Sequence, residues 1–232
     1  MTGALHAIIF DFDGVIANSE PLHLRAFQQT LGEAGHVLTA EEYYARYLGY
    51  DDVGAFRAFS HDRRIGLTDA DITSLIARKG ITLQTMLHDD SVLFPGALDF
   101  IRAAAAAVPV AIASGALRQE IDDIVVAAGV ADLFGVIVAS GDTPKSKPSP
   151  APYRLAFERL CAVTNRALHP HRCVAIEDSR WGLESARGAG LRCVGVTTSY
   201  PAHELPGAEL IAGGLNDLTL SALDQLCADV TA

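Results

Sequence analysis

The sequence lacks the features typical of secreted and membrane proteins. It has only four cysteines in 232 residues, and no two of them are close together in the chain. We therefore expect buried, reduced thiols and neither a disulfide framework nor a cysteine metal site. No apolar run approaches the roughly 18 residues that a membrane-spanning helix needs. The first apolar run, residues 7–10, has no basic region before it and ends at an aspartate, so we expect no signal peptide and a cytoplasmic location.

Positive charge is also scarce. The chain has 18 lysine and arginine residues against 28 aspartate and glutamate residues, and its formal net charge is −10. No basic cluster offsets the repulsion of a nucleic-acid backbone, which excludes nucleic acid as an expected partner. An acidic protein can still bind a small anion, because a local metal ion and a few well-placed cations suffice. No feature of the sequence predicts an oligomeric state.

Short apolar runs alternate with helix-length stretches along most of the chain. The runs are rich in Val, Ile and Ala, and they cover residues 7–10, 108–113, 136–139, 173–176 and 193–196. Such runs are typical of buried parallel strands. The helix-length stretches between them are residues 95–107, 118–128, 152–161 and 181–189. This alternation predicts an α/β fold with helices on both faces of a parallel sheet, and Gly129 and Gly190 are expected to end two of the helices.

Residues 18–91 interrupt this pattern. The stretch contains no convincing strand and is predicted to form several helices. Thr39 with Glu42 matches a capping box, and Thr68 with Asp71 is a variant with a shorter acidic side chain. We therefore predict a helical domain over residues 18–91, inserted after the first strand, while residues 1–17 and 92–232 form the α/β core.

Two aspartates close the first predicted strand. In Phe10-Asp11-Phe12-Asp13-Gly14 they are two positions apart, so their side chains point to the same side of an extended chain. Open α/β sheets bind ligands outside the carboxyl ends of their strands, which is where this pair lies. The alternative is purely structural, with the aspartates ending the strand and starting a turn at Gly14.

Three other predicted strands are also followed by polar side chains. Ser114 follows the second strand, Lys147 follows the third, and the pair Glu177-Asp178 follows the fourth. Each has a structural alternative: a turn or helix cap for the serine, a solvated loop position for the lysine, and a favourable helix start for the acids. The carboxyl ends of parallel strands share one edge of the sheet, so four such coincidences favour a single site.

These side chains are suited to the hydrolysis of a phosphate ester. A carboxylate nucleophile approaches such an anion only if positive charge screens their repulsion. A divalent cation held by Asp11 and Asp178 supplies that charge, and oxygen ligands with retained waters suit Mg²⁺. Lys147 neutralises the phosphoryl group from another side, and Ser114 donates a hydrogen bond to it. Asp13 is suited to protonate the departing alcohol and then to activate the attacking water.

The same four segments resemble the haloacid dehalogenase superfamily, whose phosphatases have an Asp-x-Asp strand end, a Ser or Thr, a Lys and an acidic pair in that order. Residues 13–23, Asp-Gly-Val-Ile-Ala-Asn-Ser-Glu-Pro-Leu-His, are similar to the group of β-phosphoglucomutases, phosphoglycolate phosphatases and related sugar-phosphate phosphatases. The resemblance covers the whole chain. It implies a Rossmann-like core, a helical cap after the first strand, and a magnesium-dependent phosphatase that acts on a small phosphorylated metabolite through an aspartyl-phosphate.

The resemblance also implies a role for individual residues. Asp11 is expected to be the nucleophile and a metal ligand, and Asp13 the acid/base with its backbone carbonyl on Mg²⁺. Asp178 is expected to be a metal ligand, and Glu177 a ligand or a partner of the ligands. Lys147 completes the catalytic group. The residues expected to contact substrate are Ser114, Gly115, His23, Lys79 and Arg118.

Two departures distinguish this chain from the mutases of the group. After the serine a mutase has a polar cluster of the Ser-Lys-Asn type, whereas this chain has Gly115-Ala116-Leu117-Arg118. In the cap loop a mutase has a Ser-Arg pair, whereas residues 48–52 read Leu-Gly-Tyr-Asp-Asp. Both departures favour hydrolysis over phosphoryl transfer within a sugar. A phosphosugar mutase, in which Arg118 supplies one cation, is the alternative.

Other readings explain fewer of the segments. A dehalogenase resembles this fold but does not use a second aspartate as leaving-group acid, so Asp13 argues against it. A glycosyltransferase has a metal-binding Asp-x-Asp but no reason for the Lys-Pro and Glu-Asp-Ser segments. A catalytically silent binding protein on the same fold would not need a competent residue at every position of the catalytic set.

Overall fold

The computed structural model describes residues 3–48, 50–89 and 92–229, with residues 87–89 described by their backbone alone. The chain divides into two compact units, Met1–Asn18 with Val92–Ala232, and Ser19–Ser91. We call them the core unit and the helical unit. Asn18 belongs to the core unit because its backbone N–H donates to the Val92 carbonyl at 2.6 Å.

Helices make up the described regular structure of the helical unit. They are α1 (Glu20–Glu33), α2 (Ala40–Glu42), which continues into a π-helical turn over Tyr43–Tyr47, α3 (Asp52–Arg63) and α4 (Asp69–Asp89). The predicted capping box is confirmed, because the Thr39 hydroxyl accepts from the Glu42 backbone N–H at 3.1 Å and the Glu42 carboxylate accepts from the Thr39 N–H at 3.2 Å. Thr68 and Asp71 form the same reciprocal pair before α4.

An aromatic core holds the helical unit together. Phe27 of α1 lies against Phe56 of α3, with 4.9 Å between ring centroids, and against Tyr43 at 5.6 Å. All three side chains are buried. Burying a side chain of this size contributes roughly 1.5 to 3 kcal/mol, so these contacts outweigh the weak intrinsic preference of short helices.

The described strands of the core unit form one six-stranded sheet. They are β1 (Ala7–Phe10), β2 (Val110–Ala113), β3 (Phe134–Val138), β4 (Cys173–Glu177), β5 (Arg192–Val196) and β6 (Leu210–Ala212). Their order is β3-β2-β1-β4-β5-β6, and every pair is parallel. Ile9 of the central strand pairs with Ala111 on one side and Ala175 on the other, which aligns the carboxyl ends of β1, β2 and β4. The predicted α/β fold with a Rossmann-like parallel sheet is confirmed.

The helices of the core unit connect these strands. They are α5 (Ala97–Ala107), α6 (Arg118–Ala127), α7 (Ala151–Thr164), α8 (Arg180–Gly188) and α9 (Leu220–Ala228). Tyr153, Ala156 and Leu160 lie on one face of α7, and they share a buried cluster with Val136 and Val138 of β3. This packing fixes α7 against the sheet, so the Tyr153 hydroxyl has a defined position.

The structure corrects several predicted boundaries and adds a strand. The predicted strand over residues 108–113 begins only at Val110, because the Val108 N–H still donates to Ala104 and ends α5. The predicted helix over residues 95–107 begins after Gly96, whose φ of +76° is not helical. β6 was not predicted, because its three residues include no fully buried one and therefore no strongly apolar run. The predicted helix ends at Gly129 and Gly190 are confirmed, with φ of +65° and +81°.

The prediction of buried thiols is confirmed for Cys173, Cys193 and Cys227, whereas Cys161 is half-buried. All four are free, and burial raises the pKa of Cys173 and of Cys193 to about 12. A thiol with such a pKa has almost no reactive thiolate at neutral pH. Among the helices that the structure describes, none has the length and hydropathy of a membrane span.

Candidate active site

A lysine and three carboxylates meet at the carboxyl ends of β1 and β4. Asp11 directly follows β1, Glu177 is the last residue of β4, and Asp178 comes next. The Lys147 ammonium lies 2.8 Å from the Asp11 carboxylate and 2.5 Å from that of Glu177. Oxygens of all three carboxylates lie within 4.8 Å of one another. The structural alternative of a solvated loop lysine is therefore wrong, since the Lys147 side chain is only 13% exposed.

Glu177 is held by four hydrogen bonds. Its Oε1 accepts from the Lys147 ammonium and from the Tyr153 hydroxyl at 2.9 Å. Its Oε2 accepts from the Ser179 backbone N–H at 3.3 Å and from the Ser179 hydroxyl at 3.1 Å. A Cβ on Gly182 would lie 1.8 Å from this carboxyl group, so the first turn of α8 needs glycine there. Both oxygens of Glu177 are thus used to fix its own position and that of Lys147.

Negative charge is in excess at this cluster, and the pKa values reflect it. Burial and the nearby charge of Glu177 raise the pKa of Asp178 to about 7, against hydrogen bonding from Ser199. Burial and the same glutamate raise the pKa of Asp11 well above its usual value, against the opposing effect of Lys147. Burial lowers the pKa of Lys147, but the Asp11 and Glu177 charges outweigh it and raise that pKa. One ammonium group does not balance three buried carboxylates, so the cluster can hold a divalent cation.

The loop after β1 is fitted tightly against Asp178. Gly14 has a φ of +78°, and a Cβ there would lie 1.9 Å from the Asp178 carboxylate. The Thr198 hydroxyl donates to the Gly14 carbonyl, and the Ser199 side chain hydrogen-bonds to Asp178. Glycine is therefore required at position 14 for backbone conformation and for space, which lets the first strand end and the acidic pair approach each other.

Ser114, Gly115 and Asp13 lie at the same edge of the sheet. Ser114 directly follows β2, its N–H donates to the Val138 carbonyl at 2.9 Å, and it is 5% exposed. Its hydroxyl accepts from the Ala116 N–H at 3.0 Å, which leaves the hydroxyl proton for another acceptor. Asp13 forms an isolated parallel bridge with Ala17 in the loop after β1.

Comparison with known proteins gives the family. The haloacid dehalogenase-like hydrolases match residues 5–190 of this chain. Protein CbbY of Rhodobacter capsulatus is 35% identical over 205 residues, which cover 84% of this chain and 87% of that protein. Phosphoglycolate phosphatase of Yersinia pseudotuberculosis is 26% identical over 204 residues, covering 85% of this chain and 83% of that protein. The chain belongs to the haloacid dehalogenase-like hydrolase family.

A solved structure of a CbbY protein also matches this chain over nearly its whole length. The crystal structure of a CbbY variant from Rhodobacter sphaeroides in complex with xylulose-(1,5)bisphosphate matches with a TM-score of 0.82 and 30% identity, over 95% of this chain and 99% of that one. The prediction of a haloacid dehalogenase-like enzyme with phosphatases among its relatives is confirmed.

The substrate-binding residues expected from the helical unit lie together within that unit. The Lys79 ammonium is 2.7 Å from the Asp52 carboxylate and 2.9 Å from Nδ1 of His23. It also lies 4.8 Å from the centroid of the Phe27 ring, and the lysine is only 1% exposed. Burial and the Lys79 charge lower the pKa of His23 to about 3. Part of the predicted cap loop, residue 49, lies outside the described residues.

Arg118, the other cation that was expected to contact substrate, lies on the protein surface in an ion pair with Asp122. Its Nε lies 2.9 Å from both carboxylate oxygens of Asp122, one helical turn further along α6, and its side chain is 59% exposed. The geometry is an i,i+4 ion pair of an exposed helix face. The predicted contact of Arg118 with substrate stays a prediction.

Sequence reasoning missed two residues that hold carboxylates of this cluster in place. Tyr153 reaches Glu177 from inside an apolar helix face, where its spacing indicates only core packing. Ser199 bonds to Asp178 from the loop after β5. The one available signal was the run of polar residues that directly follows β5, at the same sheet edge as the other strand-end groups.

Proposed function

We propose that this enzyme is a magnesium-dependent phosphatase that hydrolyses small phosphorylated metabolites through an aspartyl-phosphate on Asp11. The observation that carries the proposal is the position of Lys147, which bridges the Asp11 and Glu177 carboxylates at the carboxyl ends of β1 and β4. An ammonium group next to the nucleophilic carboxylate lies where the charge of a transferring phosphoryl group develops.

The acidic cluster fits a hard divalent cation. Its donors are carboxylate oxygens only, which favours Mg²⁺ or Ca²⁺ over metals that prefer nitrogen or sulfur. We propose Asp11, Asp178 and the Asp13 backbone carbonyl as the ligands of Mg²⁺. When bound, the ion would polarise the phosphoryl oxygens and reduce the charge repulsion between them and the nucleophilic carboxylate. Glu177 is close enough to be a further ligand, but its four hydrogen bonds favour the role of positioning Lys147.

The proposed reaction has two steps, and each is assigned to residues of this chain. In the first, an Asp11 carboxylate oxygen bonds to phosphorus, the ester oxygen–phosphorus bond breaks, and protonated Asp13 gives its proton to the departing alkoxide. In the second, ionised Asp13 removes a proton from water, the water oxygen bonds to phosphorus, and the bond to Asp11 breaks to release inorganic phosphate. Lys147 and Ser114 bind the phosphoryl oxygens in both steps.

The surroundings of the other expected cations favour hydrolysis over the mutase alternative. A mutase has to retain a bisphosphate intermediate, which needs several charge-assisted hydrogen bonds to the second phosphate, each worth about 1.5 to 3 kcal/mol. Arg118 is bound to Asp122 and Lys79 to Asp52, and the residues between Ser114 and Arg118 have no polar side chain. These pairings would weaken retention of a bisphosphate, so water would intercept the phosphoenzyme.

The substrate class follows from the relatives. CbbY was crystallised with a sugar bisphosphate, and another relative is a phosphoglycolate phosphatase. We therefore propose a small sugar phosphate or a phosphorylated acid as substrate, and neither nucleic acid nor a membrane as partner. We also propose the cytoplasm as location.

The test of the proposed function is phosphate release. The purified protein is incubated with 4-nitrophenyl phosphate and with a panel of phosphorylated metabolites, with Mg²⁺ and with EDTA. We expect phosphate release that requires Mg²⁺, that Ca²⁺ inhibits, and that is absent in the Asp11→Asn variant. Incubation with β-glucose 1-phosphate and a catalytic amount of the bisphosphate separates the alternatives, because glucose 6-phosphate forming faster than inorganic phosphate would identify a mutase.

A further inference from the structure

A second group of charged and aromatic side chains lies in the core unit at the carboxyl edge of the sheet. It consists of Arg180 and Trp181, the first two residues of α8, and Tyr200, and we call it the rim cluster. The Arg180 guanidinium lies 4.4 Å from the centroid of the Trp181 ring. The Trp181 and Tyr200 rings meet edge to face, with centroids 6.0 Å apart. Trp181 is 40% exposed, so the stack is a surface feature.

The rim cluster is tied to the acidic cluster on two sides. Arg180 follows Asp178 by two residues, which span at most about 7 Å of chain. Tyr200 directly follows Ser199, the residue whose side chain bonds to the Asp178 carboxylate. The Thr198 hydroxyl, one residue earlier, donates to the Gly14 carbonyl. The rim cluster is therefore held beside the loops that carry the proposed nucleophile and metal ligands.

The charge of Arg180 has no carboxylate partner among the described residues. The cations expected at the site from the sequence all have one: Lys147 lies against Asp11 and Glu177, Lys79 against Asp52, and Arg118 against Asp122. Arg180 contacts the Trp181 ring instead.

The position of Arg180 on α8 is also unfavourable for a cation. As the first residue of the helix it lies at the positive end of the helix dipole, where an acidic residue is preferred. An unpaired arginine at such a position, already oriented by stacking, is suited to bind an anion, because little side-chain freedom is lost when the anion binds.

We propose that Arg180, oriented by Trp181, binds a second anionic group of the substrate, either a phosphate or a carboxylate. This inference rests on the proposed function, and it narrows the substrate to small metabolites that carry a second anion besides the phosphate that is removed. A single bidentate cation is enough to select such a substrate. It is fewer than the several donors that retention of a mutase intermediate requires, so the inference is compatible with hydrolysis.

The test compares probes with one and with two anionic groups. The two-anion probes are xylulose 1,5-bisphosphate and phosphoglycolate, which distinguish a second phosphate from a carboxylate, and the one-anion probes are fructose 1-phosphate and 4-nitrophenyl phosphate. We expect Arg180→Gln to raise KM for at least one two-anion probe by about 10- to 100-fold, the range of one charge-assisted hydrogen bond. KM for the one-anion probes should change less than about twofold, and Arg180→Lys should recover part of the loss for the two-anion probe.

Arg159→Gln is the matched control, because it removes an exposed arginine from α7 of the same unit but breaks an existing ion pair with Asp142. It should leave KM for all four probes unchanged. Equal KM increases for both classes of probe in Arg180→Gln, or no increase for either, would overturn the inference. If the wild-type protein releases no phosphate from any probe, the proposed function fails. Calorimetry then measures the binding of phosphoglycolate and of inorganic phosphate to the wild type and to Arg180→Gln. If Arg180 binds the second anion, the variant should bind phosphoglycolate more weakly than the wild type does and should bind inorganic phosphate equally well.

Discussion

The core unit and the helical unit each bury a lysine beside a carboxylate, and the two clusters differ in charge balance. In the helical unit, Lys79 faces one carboxylate, Asp52 at 2.7 Å, and one uncharged imidazole. In the core unit, Lys147 faces two carboxylates, at 2.8 Å and 2.5 Å, and Asp178 adds a third to the cluster. Both lysines are almost fully buried, so burial alone does not distinguish the two clusters.

The difference makes the Lys147 cluster the better candidate for a ligand site, because both lysines are buried and only this cluster has an unbalanced charge. The Lys79 cluster is neutral as a whole, and His23, with a pKa lowered to about 3, adds no charge at neutral pH. The Lys147 cluster has an excess of negative charge, and the pKa of Asp178 is raised to about 7. A buried excess of negative charge raises the free energy of the folded state unless a cation binds. The charges of Lys79 and Asp52 neutralise each other, so that cluster needs no further ion.

The largest expected contrast comes from matched Asp→Asn substitutions in the two clusters. Asp11→Asn should lower kcat by a factor of roughly 10³ or more, because covalent catalysis is lost, while the free energy of unfolding is unchanged or increased. Asp52→Asn should lower the free energy of unfolding by about 1 to 3 kcal/mol, because the buried Lys79 loses its counterion. Phosphate release and urea unfolding measure both effects. An Asp11→Asn variant with more than about a tenth of wild-type kcat would remove this residue from the nucleophile role.

Removal of each lysine should give the next largest contrast. Lys147→Met leaves three buried carboxylates, and we expect a loss of about 3 kcal/mol in the free energy of unfolding without Mg²⁺ and a fall in kcat of about 10²-fold. Lys79→Met should cost about 1 kcal/mol, since Asp52 is 29% exposed and remains partly hydrated. Urea unfolding with and without Mg²⁺ tests the comparison. Mg²⁺ should restore stability to Lys147→Met but not to Lys79→Met, and equal restoration of both would contradict the charge account.

The two clusters should respond to pH in opposite directions. The pKa of Asp178 is raised from 3.8 to about 7, so the folded state holds a proton that the unfolded state has lost, and its contribution to stability falls as pH rises from about 4 to 7. The pKa of His23 is lowered from 6.5 to about 3, so its contribution is lost as pH falls from about 6.5 to 3.

Thermal unfolding in EDTA between pH 4 and pH 7 measures how the stability of each variant, relative to wild type, changes with pH. Relative to wild type, Asp178→Asn should be stabilising near pH 7 and less so near pH 4. His23→Gln should destabilise less near pH 4 than near pH 7. The wild type itself loses stability at low pH, because its unfolded chain binds a proton at His23 that the folded state does not bind. The same pH trend in both variants would disprove the contrast.

The smallest expected effect belongs to Arg118, whose pair with Asp122 is exposed. Arg118→Ala should lower the free energy of unfolding by no more than about 0.5 kcal/mol, the usual value of an i,i+4 pair on a helix surface, and should leave kcat unchanged. Urea unfolding and phosphate release are sufficient measurements. A fall in kcat of tenfold or more would restore the sequence-based expectation that this arginine contacts substrate.

The parts of this molecule that could be predicted from sequence are those with a local signal. Buried parallel strands are apolar runs, so β1 and β4 and the acids that end them were predictable, as was the capping box at Thr39. β6 was not, because a short half-exposed edge strand has no such run. The contact of Lys79 with Asp52 and the bond from Tyr153 to Glu177 depend on which elements meet in the fold, and residue spacing carries little of that information. The pair of Arg118 with Asp122 has an i,i+4 spacing within one helix and was therefore predictable.

The central claim is that Asp11 is the residue that becomes phosphorylated. The most direct measurement is acid quenching of the enzyme during turnover, followed by peptide mapping by mass spectrometry, with Asp11→Asn as the parallel sample. The account predicts the added mass of one phosphoryl group on the peptide that contains Asp11, its loss after treatment with hydroxylamine, and its absence in the variant. Turnover in the wild type with no phosphoryl group on that peptide, or with the group on another residue, would contradict the account.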